Sequence, residues 1–344
     1  MKRVVPERKY CLLLLPDLQG IISAEKMRMK RIFSFLFLFI IINLAATAQQ
    51  DPQFSQNMFN HANINPGAVG AGEAVDISLI SRIQWAGFPG APKTNIFGAN
   101  APFSLWGAQH GAGVEFMSDQ WGYFENVNVK LSYALRKEVG NGNLGVGFSL
   151  NFFNWAIDPS NKNGELFLPA SDVAIPSSKV SKMVTDIGFG VFYKDRNFYA
   201  GASVSHINRP AVKSQDGQSE MFFFERHYYL TAGYNIQMAS PLFELKPSIF
   251  LKSDPTGVRG GQIDLNTNIV YDKKHWGGIS YRLNEGFVLL LGTELANGLR
   301  LGYAFDITTS KLTAGTYGSH EFHIGYSIAL QKKRKRKYKS IRYL

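Results

Sequence analysis

After residue 48 the chain alternates apolar and polar residues at every second position, in one segment after another. Within 127–135, Val127, Val129, Leu131, Tyr133 and Leu135 share one face, while Asn128, Lys130, Ser132 and Ala134 share the other. Segment 144–150 sets Leu144, Val146, Phe148 and Leu150 against Gly145, Gly147 and Ser149. Near the C-terminus, Leu299, Leu301, Tyr303, Phe305 and Ile307 oppose Arg300, Gly302, Ala304, Asp306 and Thr308, and Phe322, Ile324, Tyr326, Ile328 and Leu330 oppose Glu321, His323, Gly325 and Ser327. A period of two is that of a β-strand with one face in each of two environments. No apolar stretch past residue 48 approaches the roughly 20 residues a membrane helix needs.

Such runs predict strands at 74–84, 93–103, 110–118, 124–137, 143–157, 184–194, 197–207, 223–237, 243–253, 261–272, 274–283, 286–295, 298–308 and 319–330. Fourteen is an even number, which brings both ends of a closed barrel to the same side of the membrane. The expected fold is therefore all-β: a transmembrane antiparallel β-barrel of about 14 strands over 74–330, one face on lipid and the other on a polar lumen. Connection lengths agree, because outer-membrane barrels pair short periplasmic turns with longer outer loops. With the first strand running outward, the turns 104–109, 138–142, 195–196, 238–242, 273 and 296–297 are periplasmic, and 158–183, 208–222, 254–260 and 309–318 are outer. The short link 284–285 is the exception.

Aromatic residues gather near strand ends, at Trp85, Trp121, Tyr123, Trp155, Tyr228, Tyr229, Tyr271, Trp276 and Tyr281. Rings with an apolar body and a polar edge suit the membrane–water boundary. A soluble sandwich with an aromatic core would need a second sheet over the apolar rows.

The start of the chain reads as an address. Lys30-Arg31 precedes the apolar run 32–42, and small residues end in Ala46-Thr47-Ala48, the order of a secretory signal peptide cleaved between Ala48 and Gln49. Residues 29–48 are thus the expected signal, and 1–28 an upstream over-extension of the reading frame, since Met27 and Met29 stand just before the basic pair. No cysteine follows the cleavage site, so a lipoprotein is excluded. Segment 49–73, rich in Gly, Pro and Asn, is too polar for a strand and is expected as a periplasmic N-terminal segment that plugs the lumen or binds a periplasmic partner.

The formal charge of +11 changes the picture only at the ends. Residues 1–48 carry +5 and 331–344 carry +8, which leaves the body 49–330 at −2. The body is no polyanion-binding surface, and no nucleic-acid partner is expected. The basic tail Lys332, Lys333, Arg334, Lys335, Arg336 and Lys337 is the candidate partner-binding segment, facing the periplasm. The single cysteine, Cys11, precedes the signal, so no thiol chemistry is expected of the mature chain.

Chemistry is sparse. His320 and His323 are separated by an odd number of residues and point to opposite faces of a strand. His206 and His227 flank one loop with Ser203, Ser205 and Asp216 nearby, the residue types of a barrel lipase, although a polar lumen accounts for them as well. Gly145-Val146-Gly147 lies inside a strand and opens no helix, so it makes room or bends the sheet and is not a phosphate loop. Asp254-Pro255-Thr256-Gly257 is a turn signal. No catalytic residue, cofactor or metal is expected.

Residues 50–60, Gln-Asp-Pro-Gln-Phe-Ser-Gln-Asn-Met-Phe-Asn, and 65–70, Asn-Pro-Gly-Ala-Val-Gly, resemble the opening signature of the PorP/SprF family, outer-membrane proteins of the type IX secretion system in Bacteroidetes. Arg82-Ile83-Gln84-Trp85-Ala86-Gly87-Phe88, Gly90-Ala91-Pro92-Lys93-Thr94, the run 227–234, Leu245-Lys246-Pro247-Ser248 and Gly302-Tyr303-Ala304-Phe305-Asp306 extend the resemblance across the mature chain. Val69 departs from it, standing where the family usually has Tyr, and the basic end is longer than a minimal member needs. The resemblance implies a non-enzymatic outer-membrane component that assists secretion or surface display of cargo such as gliding adhesins. Its implied partners are outer-membrane lipid, type IX secretion components and adhesin-type cargo. A passive porin or transporter is the alternative, separated from the first by loss of cargo secretion in a deletion strain.

Overall fold

The computed structural model describes residues 51–160, 176, 178–213, 220–254, 257–295, 298–310 and 315–330. Of two compact units, 1–45 falls outside the described residues, and the second, 46–344, is the subject here. The expected signal and its Ala48–Gln49 junction, Asp216, most of the outer loop 158–183 and the basic tail 331–344 also lie outside them.

The described chain is almost entirely strand. In order these are β1 (Ala74–Ile83), β2 (Lys93–Leu105), β3 (Ala108–Trp121), β4 (Phe124–Val139), β5 (Gly142–Ile157), β6 (Val180–Lys194), β7 (Phe198–Ser205), β8 (Ala211–Lys213), β9 (Glu220–Phe223), β10 (His227–Tyr234), β11 (Ile236–Gln237), β12 (Phe243–Asp254), β13 (Gly257–Tyr271), β14 (His275–Arg282), β15 (Gly286–Glu294), β16 (Leu299–Thr308) and β17 (Ser319–Ala329). Each barrel strand pairs antiparallel with its neighbour in sequence. The barrel closes where β1 meets β17, with Ala74 opposite Ala329 and Ile83 opposite His320. At the far side β10 pairs with both β7 and β12. Fourteen strands make the wall; β11 merely prolongs the β10–β12 ladder, and β8–β9 is a separate hairpin. Closure leaves no unpaired edge, which a bilayer would penalise.

The fourteen expected strands all correspond to wall strands, with ends displaced by four residues at most. The hairpin β8–β9 went unseen because its strands are too short to show alternation. It folds over the barrel mouth, where Val212 is buried with Tyr123, Trp155 and Ile157.

Burial follows parity. On β4, Val127, Leu131 and Leu135 are outward and half exposed, while Asn128, Ser132 and Ala134 are buried. Outward rows of Phe, Leu, Ile and Tyr recur on every full wall strand, as with Phe287, Leu289 and Leu291 or Phe322, Ile324 and Tyr326. An apolar surface of this extent is stable only against lipid. The aromatic belt is thinner than expected, because Trp155 and Tyr229 turn inward and are buried and Trp276 packs at a tilt against Phe59 inside the barrel. Tyr228, Tyr271 and Tyr281 do face outward.

One end of the barrel carries tight turns such as Trp106-Gly107 and Gly140-Asn141, and the other carries the long connections, including β8–β9. Residues 51–73 lie in the lumen, so of the two roles open to this segment the described part fills that of a plug.

Candidate functional site

The plug begins near the long-loop end and descends to the short-turn end, where Ala74 starts β1. It has little regular structure: a 3-10 turn Asn57–Phe59, one α-turn His61–Ile64 and a second 3-10 turn Pro66–Ala68. Asn65 caps that last turn by accepting a hydrogen bond from the Gly67 amide at 2.8 Å, and Pro66 sits at its first position, where no amide proton is needed. A segment this short of internal bonds is held by the wall.

Its first anchor is an ion network. Glu321 accepts the backbone amides of Ser55 at 2.7 Å and Gln56 at 2.9 Å, one on each carboxylate oxygen. Arg82 donates to Ser55 Oγ at 2.8 Å, to Asp306 at 2.7 Å and to Glu321 at 3.2 Å, and Ser55 Oγ in turn donates to Asp306. Arg282 donates through Nε to Asp264 at 2.9 Å and through Nη1 to Asp306 at 3.0 Å. Asn57 of the plug donates to the second oxygen of Asp264. Every one of these charged side chains is at least nine-tenths buried. Charges at such depth persist only when paired and hydrogen-bonded, and the plug supplies bonds the wall alone does not.

Deeper in, Asn63 approaches the buried pair Lys130–Glu115, whose charges lie 2.8 Å apart, and Lys130 donates to the Asn63 carbonyl. Nearer the short-turn end the contact becomes backbone to backbone. A Cβ added at Gly67 would come within 2.9 Å of the carbonyls of Gly190 and Gly145, and one added at Gly147 or Gly190 would collide with Pro66 or Asn65. The inward glycines Gly145, Gly147 and Gly190 of β5 and β6 therefore make room for the plug. Asn65 Nδ2 donates to the Val191 and Ala202 carbonyls, and Val69 is fully buried beside Gly111 and Gly113.

A second anchor holds the first described residue. Asp51 faces His206 Nε2 at 2.8 Å and His227 Nδ1 at 3.7 Å, accepts the Tyr229 and Ser205 hydroxyls, and offers its backbone carbonyl to Lys252. Burial favours the neutral acid, but His206, His227 and Lys252 hold the Asp51 carboxyl well below the usual carboxylate range. Burial likewise opposes a charged His206, yet Asp51 and Asp186 raise it to about 10. The serine–histidine arrangement suggested by spacing is not assembled: Ser205 donates to Asp51 and Ser203 to the Ile64 carbonyl. His320 and His323 do lie on opposite faces, His320 bonded to Tyr303 outside and His323 buried inside.

What remains of the lumen includes a cavity of about 90 Å³ between Asp51, Asn63 and the wall, and a vestibule of about 490 Å³ at the short-turn end bordered by Lys194, Arg196, Lys246, Arg300 and Asp76. The network residues Arg282, Asp264 and Glu321 were not singled out from sequence. Their signal was present as charges at inward parity on strands with few other charges.

Among solved structures the chain is similar to the toluene transporter TodX of P. putida, at 12% identity over 79% of this chain and 94% of that one, with a TM-score of 0.44. The Ralstonia pickettii toluene transporter TbuX is similar at 12% identity, 78% and 92% coverage and a TM-score of 0.46. The translocator domain of the autotransporter NalP from Neisseria meningitidis gives 14%, 74% and 86%, and 0.40. No curated protein matches the sequence significantly. A family model described as type IX secretion system membrane protein PorP/SprF matches residues 46–326, a span that includes both plug and wall, and the chain belongs to that family.

Proposed function

We propose that this outer-membrane barrel is a non-catalytic, plugged component of the type IX secretion system that assists the secretion or surface display of cargo such as gliding adhesins. One observation carries the reading: the family's opening signature, 50–60 and 65–70, supplies the described lumen plug, and its contacts with Arg82, Asp306 and Glu321 fix it at the centre of the barrel. A freely conducting porin keeps its lumen filled with water, whereas here a pinned segment occupies it. A component that presents loops and periplasmic surfaces to partners needs a rigid, sealed support. On this reading the partner contacts lie on the long-loop end and on the periplasmic face, because the apolar rows are committed to lipid.

A clean deletion in the native bacterium, complemented by the wild-type gene, tests the proposal. Surface adhesin or other secreted cargo should fall in the deletion strain while general outer-membrane permeability is unchanged. Normal cargo display together with lost uptake of small solutes would overturn it in favour of a porin. Purified protein in planar bilayers should show no sustained conductance.

A further inference from the structure

We propose that Asp51, His206 and His227 form a binding site for a divalent transition-metal ion of the zinc class, which fastens the N-terminal end of the plug to the barrel wall. One carboxylate oxygen and one nitrogen from each ring lie within 4.8 Å of one another. The imidazoles come from β10 and from the residue after β7, neighbouring strands that hold them at fixed separation, whereas the carboxylate comes from a segment distant in sequence. The site exists only when the plug is docked.

Two independent features point to a ligand. Both ring nitrogens of His227 are buried without a hydrogen bond, in a side chain only 4% exposed. Such a ring is poorly satisfied by the protein alone, and Nδ1 is directed at Asp51 Oδ2 from 3.7 Å, too far for a hydrogen bond. The second feature is the support behind His206. Its Nδ1 lies 3.2 Å from Oδ2 of the fully buried Asp186, an ion-pair contact not aligned as a hydrogen bond, and Asn151 fixes that carboxylate with a 2.8 Å hydrogen bond. A carboxylate behind one ring nitrogen sets the tautomer that presents the other to a metal, the usual outer shell of a zinc-bound histidine.

Dimensions agree with a small ion. Zinc bonds of about 2.0–2.1 Å in a tetrahedron place donor atoms about 3.3–3.4 Å apart. The present separations are 2.8 Å from His206 to one Asp51 carboxylate oxygen and 3.7 Å from His227 to the other, with all three donor atoms within 4.8 Å of one another, so side-chain movements on the order of 1 Å bring them to that spacing. The ion would take the place of the proton now shared between His206 and Asp51. Two imidazoles and one carboxylate suit zinc or its neighbours and disfavour calcium and magnesium, which take oxygen sets. Water completes four ligands. The Tyr229 and Ser205 hydroxyls hold one Asp51 carboxylate oxygen and leave the other to His206, while Lys252 grips the Asp51 backbone carbonyl and its charge lowers the affinity such a site reaches.

The full chain, extracted in detergent and stripped with EDTA, is exposed to ZnCl2, passed through a desalting column and assayed for metal by mass spectrometry. Wild type should retain one zinc per chain, and Asp51→Asn and His227→Gln should retain at least tenfold less, with His275→Gln as an unaffected control. Migration of unboiled samples on a denaturing gel confirms that each variant is a closed barrel. CoCl2 added to stripped wild type supplies a readout that needs no variant: the visible bands of four-coordinate cobalt should appear. Zinc at background level in wild type, or equal zinc in His227→Gln, overturns the proposal, as does cobalt that stays six-coordinate.

Discussion

The hydroxyl of Ser55 lies 2.8 Å from Nη1 of Arg82, a plug side chain bonded to a wall side chain across 27 residues of sequence. Ser55 in turn donates a hydrogen bond to Asp306, which Arg82 and Arg282 both grip. Removing Arg82 therefore leaves Asp306 and Glu321 short of a partner while buried, a loss of roughly 3–5 kcal/mol. Arg82→Met should lower the temperature at which unboiled protein converts to the unfolded gel mobility. Ser55→Ala removes a relay without stranding a charge and should cost roughly 1–3 kcal/mol, felt in the plug before the wall. If Arg82→Met melts with wild type, the network is not a stabilising anchor.

Gly190 tests the close approach of plug and wall. Its missing Cβ is replaced in space by the Asn65 side chain and Pro66. Gly190→Leu points a bulky side chain into that volume, and the plug is the softer partner because its own hydrogen bonds are few. The expected outcome is a barrel that still shows heat-modifiable migration but whose segment 51–70 is cut by added protease, with bilayer conductance rising from near zero. An unchanged protease pattern would show that the plug tolerates the added volume.

His61 makes plug docking sensitive to acid. Packed between the Phe192 and Tyr199 rings, it is driven by burial, and secondarily by the nearby Lys194 charge, from 6.5 down to about 3. Its docked form is neutral, so its contribution is complete above about pH 6.5 and is lost as pH falls toward 3. Protease access to the plug should rise between pH 6 and pH 4, and His61→Phe should remove most of that rise. Equal acid sensitivity in the variant would assign the effect to other groups.

The wall was legible because successive side chains of a strand point into its two different environments: Val127 and Asn128, or Phe322 and His323, announce their faces by chemistry alone. The plug was not, since no periodicity marks a segment without repeated structure, and its partners are distant in sequence, as Ser55 is from Glu321. Segment 49–73 yielded the statement that it is no strand and a choice between plugging the lumen and binding a partner, but none of its contacts. Trp155 and Tyr229 misled for a related reason, because an aromatic near a strand end fits a lipid boundary or a packed lumen equally well, and parity alone decides. The hairpin β8–β9 fell below the length at which alternation can be counted.

The last prediction concerns the basic tail. β17 ends at Ala329, paired with Ala74 at the short-turn end, so the chain leaves the wall on the face that barrels of this class turn toward the periplasm. Lys332 to Lys337, outside the described residues, follow in the sequence as six consecutive cations. The vestibule at that end is bordered by Lys194, Arg196, Lys246 and Arg300 against two acids, Asp195 and Asp76, the latter paired to Arg300, so its rim carries a net positive charge. Like charges on the tail and the rim repel, which disfavours docking of the tail into its own barrel and favours an anionic surface elsewhere. An acidic face of a periplasmic secretion component, rather than the barrel itself, is thus the expected contact. Truncation after Leu330 should leave heat-modifiable migration intact, reduce co-purification of such a component several-fold at low salt, and flatten the dependence of the remainder on ionic strength, since screened long-range attraction is what the tail provides. Recovery of the same partners at 50 mM and 500 mM salt, with and without the tail, would show that it serves only as a solvated end to the last strand.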